Sequence, residues 1–185
     1  PTQAIYEPLK LNPCRCIAFN TFITQEHMAG SYIEPEIRDK MGVKVHGCDI
    51  CQEACPRNRA RLKANLPEDA FLMNLAADFS LVKMLKMPDD FYWMRVKPLM
   101  YNYIKEKKYF QRNAAIALGN LGDPAFVPDL GAAMYDPEEL VRSYTAWALG
   151  KIGGSAAKQI LEASSWRENS KAVLAEIRGA LLNME

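Results

Sequence analysis

An internal repeat in the second half of the sequence limits the folds open to this chain. Residues 110–122 align with residues 141–153 at an offset of 31 positions. In each copy apolar residues recur every three or four positions and a glycine closes the segment, which is typical of an amphipathic helix that ends at a turn. Asp-Pro pairs at 123–124 and 136–137 predict the starts of the following helices. The identical pairs are Ala115/Ala146, Ala117/Ala148, Leu118/Leu149, Gly119/Gly150 and Gly122/Gly153.

Repeated helix pairs of about this length predict an all-α solenoid for residues 64–185. One pair cannot bury its own apolar face, so neighbouring pairs stack, and small residues let them approach closely. Strand-like alternation is absent from this part of the sequence. Trp147 and Trp166 are expected to be core anchors. A terminal capping helix is predicted at 171–182, with Val173, Leu174, Ile177 and Leu181 facing inward.

Residues 1–63 predict a different kind of structure. Prolines and glycines break the periodicity there, and short helices are expected at 16–24, at 35–41 and after Cys55. All five cysteines of the chain lie in this segment. Because its apolar pattern is too weak to supply a core, we expect a bound metal centre to hold the segment together. The sequence therefore predicts two units, 1–63 and 64–185.

Composition excludes several functional classes. The formal net charge is +1, so any attraction to nucleic acid must be local. No run approaches eighteen uninterrupted apolar residues, which argues against a spanning helix and a membrane partner. The cysteines are crowded, odd in number and not preceded by a secretion signal, so a reducing cytoplasm with thiolate ligands is favoured over disulfides.

The spacing of three cysteines narrows the type of metal centre. Cys48, Cys51 and Cys55 form a C-x2-C-x3-C-P motif that ends at Pro56. This pattern is the tail of a bacterial ferredoxin run, in which the last cysteine ligates the other cluster of a two-cluster module. Zinc knuckles require a second C-x2-C or a histidine pair. The motif thus favours iron–sulfur over zinc or structural thiols, although five thiols cannot supply four ligands to each of two clusters.

An ordered set of motifs covers essentially the whole chain: Pro1–Ile5, Arg15–Ile17, Met41-Gly42, Gly47–Gln52, Cys55–Asn58 and Arg112–Asn120. Together they resemble the carboxy-terminal half of epoxyqueuosine reductase. The resemblance implies a cobalamin-dependent reductase with two 4Fe–4S clusters that acts on the wobble-position nucleoside of a tRNA anticodon. It also implies an all-α fold in which a small ferredoxin-like segment precedes HEAT-like helical repeats.

The resemblance implies a set of ligands as well. Cys16, Cys48 and Cys51 would hold one cluster together with a cysteine that lies just before Pro1, and Cys55 would be the single contribution to the other cluster. The remaining ligands, the cobalamin-binding region and the catalytic acid would precede this chain, so the fragment alone is expected to be inactive. Two further residues have open roles. Cys14 is interpreted as a bystander or a surrogate ligand. His46 is interpreted as a neighbour of the ligands or a solvated residue, with contact to the metal as the alternative.

Two basic segments are candidates for contact with tRNA. Residues 95–112 contain six bases against one acid, and residues 57–63 contain four bases and no acid. Aromatic residues are interleaved with the first segment, and looped RNA requires both stacking rings and positive charge. The alternative interpretation is a solvated helix face beside core aromatics. The candidate tRNA-binding residues are Arg57, Arg59, Lys105, Lys108 and Arg112.

Three functions remain open from the sequence. The first is the iron–sulfur and tRNA-docking part of an epoxyqueuosine-reductase-like oxidoreductase, which takes electrons from a donor protein and relays them to cobalamin. The second is an iron–sulfur electron-transfer scaffold whose repeats bind a protein partner. The third is a zinc-stabilised adaptor. Visible absorption separates iron–sulfur from zinc, and tRNA binding separates the first two functions.

Overall fold

A β-hairpin opens the described part of the chain. The computed structural model describes residues 2–23, 32–64, 67–99 and 106–184. β1 (Ile5–Glu7) pairs antiparallel with β2 (Lys10–Leu11), with Ile5 opposite Leu11. The sequence did not predict this hairpin, because strands of three and two residues are too short for an alternating pattern to show. A 3-10 turn at Pro13–Arg15 and a π-helical turn at Phe19–Ile23 follow it.

Three short helices complete the cysteine-rich segment. They are α1 (Pro35–Lys40), α2 (Ile50–Ala54) and α3 (Arg59–Leu62). Pro35 occupies the first turn of α1, where its missing N–H costs no hydrogen bond. α1 and α3 confirm the helices predicted at 35–41 and after Cys55. α2 lies inside the cysteine motif, where no helix was predicted.

Three helices connect this segment to the repeats: α4 (Ala70–Ala77), α5 (Leu81–Lys86) and α6 (Asp89–Phe91), the last of which continues into a π-helical turn at Tyr92–Val96. Side-chain caps begin the first two helices. An Asp69 carboxylate oxygen accepts from Leu72 N at 3.0 Å, and Ser80 Oγ accepts from Lys83 N at 3.2 Å. Met84 and Leu85 on α5 are buried in the common core.

Five helices form the repeat region: α7 (Lys108–Leu121), α8 (Val127–Ala133), α9 (Glu139–Ile152), α10 (Gly154–Arg167) and α11 (Lys171–Leu182). α9 packs between α7 and α11, while α8 and α10 lie against α9 and against each other. The two copies of the sequence repeat correspond to α7 and α9, which confirms the predicted stack of helices. Asp123 Oδ1 accepts from Ala125 N at 2.9 Å, as predicted for an N-cap. α9 begins at Glu139, three residues after Asp136.

The repeated glycines mark the points where neighbouring helices approach most closely. A Cβ atom added at Gly119 on α7 would lie 2.9 Å from Ala148 Cα on α9. A Cβ added at the equivalent Gly150 on α9 would lie 2.5 Å from Ala180 Cβ on α11. Real Cβ atoms do not approach so closely, so the glycine allows the same tight contact in both repeats.

The capping helix is confirmed, and one predicted core residue is wrong. On α11, Val173 and Ile177 are buried, and Leu174 and Leu181 are half-buried. Trp147 is half-buried, whereas Trp166 is 91% exposed on α10. Trp166 follows the buried Ser164 by two positions, and that spacing points it toward the opposite side of the helix. None of the helices in the described ranges is long and apolar enough to cross a membrane.

Polar side chains dock the cysteine-rich segment onto the repeats. The Arg38 guanidinium is 1% exposed, and its Nη2 donates to Glu176 Oε1 on α11 at 2.8 Å. Tyr144 OH accepts from Ile33 N at 2.6 Å, and Asn120 Nδ2 donates to Arg38 O at 2.8 Å. The two predicted units therefore form a continuous structure, because buried polar groups of one are satisfied by the other.

A salt bridge between Arg142 on α9 and Glu168, the residue after α10, makes the stability of the fold depend on pH. Glu168 accepts from Arg142 Nε at 2.7 Å and Nη2 at 3.0 Å, and from Ser170 N at 2.8 Å. The hydrogen bond from Arg142 holds the pKa of Glu168 below its ordinary value of 4.5. A depressed carboxyl pKa contributes stability above that ordinary value, and the contribution is lost as the pH falls through the folded pKa.

We therefore expect Glu168→Gln to lower the free energy of unfolding by roughly 1–3 kcal/mol at neutral pH. The variant should lose less stability than the parent between pH 6 and about pH 3, because the titrating group is gone. Urea unfolding at a series of pH values measures both effects. Glu162→Gln, at an exposed position on α10, is the control, and equal pH profiles for the parent and Glu168→Gln would contradict the expectation.

Candidate iron–sulfur centre and nucleic-acid interface

Cys16 is placed by a hydrogen-bonded loop. Its backbone N–H donates to Pro13 O at 2.9 Å and closes the 3-10 turn. Asn12 Oδ1 accepts from Cys14 N at 3.1 Å. The buried Asn20 amide donates to Cys14 O and to Cys16 O, each at 2.9 Å. These bonds fix the loop because each satisfies a backbone group that the short turn leaves unpaired.

Cys48 and Cys51 follow a glycine turn. Gly47 has φ +70°, a left-handed conformation that glycine adopts without strain. Gly47 N donates to the buried Thr21 Oγ1 at 3.0 Å, which ties this turn to the loop that carries Cys16. Cys51 is the second residue of α2. The glycine and the helix start together direct both cysteines toward the Cys16 loop.

Cys16, Cys48 and Cys51 line one cavity of about 610 Å³. Its other walls are mainly apolar and come from the hairpin and α2. Within the described ranges, no three His, Cys, Asp or Glu side chains converge on a position for a single metal ion. Thiols spread along the wall of a cavity of this size fit a multi-atom cluster, and the apolar wall gives that cluster a weakly polar surface on one side. The apolar lining residues are Ala4, Ile5, Leu9, Leu11, Ile17 and Ile50.

The other two cysteines lie outside this cavity. Cys55 is half-buried at the carboxyl end of α2, and Cys14 is exposed in the 3-10 turn. Neither is among the residues that line the cavity. Asn58 Nδ2 donates to Gln52 O at 3.0 Å and fixes the turn after Cys55. Cys55 and Cys14 thus do not share the cavity of the other three cysteines, and their roles stay predictions.

His46 packs among aromatic rings. Its ring centroid lies 5.4 Å from that of Phe22 and 5.7 Å from that of Phe110 on α7. Burial lowers the pKa of His46, so the neutral imidazole is favoured. The residue does not line the cysteine cavity. Its position is consistent with a packing role next to the turn that carries Gly47.

Arg112, a predicted tRNA-binding residue, is instead buried, and this corrects the prediction. Its exposed fraction is 0%, and its Nη2 donates to Asn20 O at 3.1 Å while its Nε donates to Asn113 Oδ1 at 3.0 Å. Burial lowers the pKa of Arg112 to about 10, which still leaves it charged at neutral pH. The guanidinium therefore joins α7 to the Cys16 loop and is not available to a phosphate.

Acidic neighbours pair with three of the six bases of the first basic segment. Arg95 pairs with Asp78, and Lys107 Nζ lies 2.6 Å from Asp89 Oδ1. Lys108, another predicted tRNA-binding residue, lies 2.9 Å from Glu106 and 3.7 Å from Glu138, and its side chain is largely buried. Lys105 lies outside the described residues. Of the described bases in residues 95–112, Lys97 is therefore left without an acidic partner at the surface.

The second basic segment is exposed. Arg57 and Arg59, predicted to contact tRNA, are solvent-accessible around the start of α3, as are Arg61 and Lys63. In the part of the chain that the structure describes, none of these four bases takes part in an ion pair. The segment follows Cys55 directly, so these charges lie close to the cysteine motif.

Both parts of the chain match known protein families. Residues 1–58 match a family described as a 4Fe-4S double cluster binding domain, and residues 97–181 match HEAT repeats. Epoxyqueuosine reductase of Bacillus anthracis is 35% identical and aligns with 98% of this chain and 46% of its own length. The Bacillus subtilis (strain 168) enzyme is 32% identical over 96% of this chain and 44% of its own length. The chain is homologous to the epoxyqueuosine reductases.

Solved structures of epoxyqueuosine reductases share the fold. One, crystallised with an epoxyqueuosine-modified tRNA-Tyr stem loop, has a TM-score of 0.80 and 29% identity over 100% of this chain and 47% of its own. The Bacillus subtilis structure has a TM-score of 0.79, also at 29% identity, over 100% and 48%. This chain spans about half the length of the epoxyqueuosine reductases it matches. The resemblance inferred from the motifs is confirmed.

Sequence reasoning missed the residues that hold the cysteine loops. Asn20, Thr21 and Asn113 are buried polar side chains, and Asn113 Nδ2 donates to Thr21 O at 2.7 Å and Val45 O at 2.8 Å. The available signal was the polar run Gln111-Arg112-Asn113 directly before the apolar stretch of α7. A polar run on a buried helix face requires partners, which for Arg112 and Asn113 come from the cysteine-rich segment.

Proposed function

We propose that this chain is the iron–sulfur and tRNA-docking part of an epoxyqueuosine-reductase-like oxidoreductase. The observation that carries the proposal is the cavity lined by Cys16, Cys48 and Cys51, with Cys55 placed apart from it. The match to a double-cluster domain and the homology to epoxyqueuosine reductases support it. The spacing of the thiols fits two separate clusters, one of which takes most of its ligands outside these residues.

In this proposal the chain's own residues hold and shield a redox centre. Cys16, Cys48 and Cys51 supply thiolates, and the loop bonds of Asn20 and Thr21 keep those thiolates in place. The clusters, when bound, would supply single electrons from a donor protein to cobalamin held outside this chain. The apolar side chains of the cavity wall would lower the polarity around the cluster and so influence its reduction potential.

Anaerobic reconstitution with iron and sulfide, carried out on the longer protein that would supply the ligands outside these residues, tests the redox part of the proposal. We expect bound iron and acid-labile sulfide, together with a broad visible absorption that dithionite bleaches. The measurement is elemental analysis combined with absorption spectroscopy before and after reduction. Binding of zinc with no uptake of sulfide would instead support the zinc-stabilised adaptor.

The exposed bases that follow Cys55 are the proposed contact with tRNA phosphates. These bases are exposed and take part in no ion pair in the described part of the chain: Arg57, Arg59, Arg61 and Lys63. The described bases of residues 95–112 are mostly paired or buried. A homologous structure contains a tRNA stem loop, which supports RNA as the partner. The position beside the cysteine motif would bring the RNA near the redox centre.

Replacing Arg57, Arg59 and Arg61 with glutamine is expected to weaken binding of a tRNA anticodon stem loop and to flatten its salt dependence. Each lost phosphate contact lowers the slope of log K against log salt by about 0.7 to 0.9, so three contacts lower it by roughly 2. Fluorescence anisotropy across a salt titration measures the slope. Glutamine at Lys158, Lys171 and Arg178, which are exposed on α10 and α11, removes the same charge as a control.

One observation favours the alternative scaffold function. Trp166 is 91% exposed, and beside it on α10 the Arg167 guanidinium lies 3.7 Å from the ring centroid of Tyr135, which is 70% exposed. Tryptophan, tyrosine and arginine are the residues enriched at protein-interface hot spots. A protein that assembles a cluster but shows no affinity for a tRNA stem loop would support this function over tRNA docking.

A further inference from the structure

Trp93 has an exposed side chain in a turn whose end residues are buried. It lies in the π-helical turn Tyr92–Val96, whose end residues are 3% and 0% exposed. The Trp93 side chain is 55% exposed. Lys97 Nζ lies 3.7 Å from the centroid of its ring, and the Tyr92 ring meets it edge-on at 5.4 Å. The indole is therefore presented to solvent from a fixed position.

The charges around Trp93 favour a stacking contact over a row of phosphate contacts. Arg95 and Lys107 are paired with Asp78 and Asp89, while Lys97 takes part in no ion pair within the described residues. Asp89, Glu106 and Glu138 share a surface pocket with Trp93, and there they pair with Lys107 and Lys108. The Trp93 ring and the Lys97 ammonium group are therefore the groups that remain for a ligand. This combination suits an unpaired nucleobase, which stacks on the ring while its phosphate meets the cation.

We propose that Trp93 stacks on an unpaired base of the tRNA and that Lys97 contacts the adjacent phosphate. This inference rests on the proposed function, since it takes tRNA as the partner. It assigns the two basic segments different tasks. Residues 57–63 supply the electrostatic attraction, and the Trp93 surface supplies a stacking contact that depends little on salt.

The test compares Trp93→Ala and Trp93→Phe with the parent protein in binding an anticodon stem loop. Loss of one stacked base weakens binding by roughly five- to 150-fold. We expect Trp93→Ala to lose affinity within that range with an unchanged salt slope, and Trp93→Phe to retain most of the affinity. Trp166→Ala, at the more exposed tryptophan on α10, is the matched control and should bind as the parent does.

Fluorescence gives a second measurement that does not require the alanine variant to fold. Stem-loop RNA is expected to quench the tryptophan emission of the parent and of Trp166→Phe, but much less that of Trp93→Phe. Equal quenching in Trp93→Phe, or parental affinity in Trp93→Ala, would overturn the stacking role while leaving tRNA docking intact. A parent protein that binds no stem loop would instead refute the proposed function, and the stacking role with it.

Discussion

Replacing Cys48 with serine is expected to remove the iron–sulfur absorption of the reconstituted protein and to loosen the cysteine-rich segment. Cys48 is one of three thiols on the wall of a single cavity, and a serine hydroxyl does not replace a thiolate as a cluster ligand. The hairpin and α1–α3 are short and contribute few buried apolar residues, so binding of the centre contributes directly to their folding. Residues 139–182 should be unaffected, because their core is apolar and continuous.

Iron and sulfide analysis measures the loss of the cluster, and hydrogen exchange measures the loosening. Peptides that cover residues 47–62 should exchange faster in Cys48→Ser than in the reconstituted parent. Cys14→Ser is the matched control, since Cys14 is exposed and does not line the cavity. Full retention of iron by Cys48→Ser, or an equal loss in Cys14→Ser, would contradict the assignment of the cavity cysteines as ligands.

Replacing Gly150 with alanine is expected to destabilise the repeats. The new Cβ would lie 2.5 Å from Ala180 Cβ and 2.9 Å from Ala180 Cα, so α9 and α11 would have to separate. Overpacking of a tight helix contact costs about 1–3 kcal/mol, which outweighs the gain of up to about 1 kcal/mol from the higher helix propensity of alanine. Denaturant unfolding measures the change in the free energy of unfolding.

Gly179 provides the control on the facing helix. It lies within α11, and a Cβ added there meets no atom within 4 Å. Gly179→Ala should therefore be neutral or stabilising by up to about 1 kcal/mol, because only helix propensity changes. Equal effects of the two substitutions would show that the α9–α11 contact does not require the glycine.

Local features of this protein were predictable because they depend on neighbours in the sequence. The offset of 31 between Gly119 and Gly150 predicted equivalent close contacts, and the cysteine spacing predicted that Cys48 and Cys51 lie side by side, as they do on the wall of one cavity. The partners were not predictable. The Ala148 and Ala180 backbones that meet these glycines, and the hairpin that closes the cavity, come from other elements.

The prediction of the RNA-binding surface shows the same limit. Arg112 and Lys108 are bases by residue type, but their environments depend on residues far away in the sequence. Arg112 is buried against Asn20, and Lys108 lies beside Glu138. Trp166 was placed in the core because its type suggested burial, although the helix turns it toward solvent. Charge and side-chain size are properties of a residue, whereas burial and pairing are properties of the packed chain.

The amino-acid sequence alone determined the helical repeat, the cysteine-rich segment and their order, because periodicity, glycine positions and thiol spacing act over a few residues. Only the tertiary structure decided which thiols share a cavity and which charges stay free. Those outcomes depend on distant segments brought together in the fold. Buried polar groups need hydrogen-bond partners wherever the packing places them. For this reason Arg112, a predicted RNA contact, instead bonds Asn20 inside the fold.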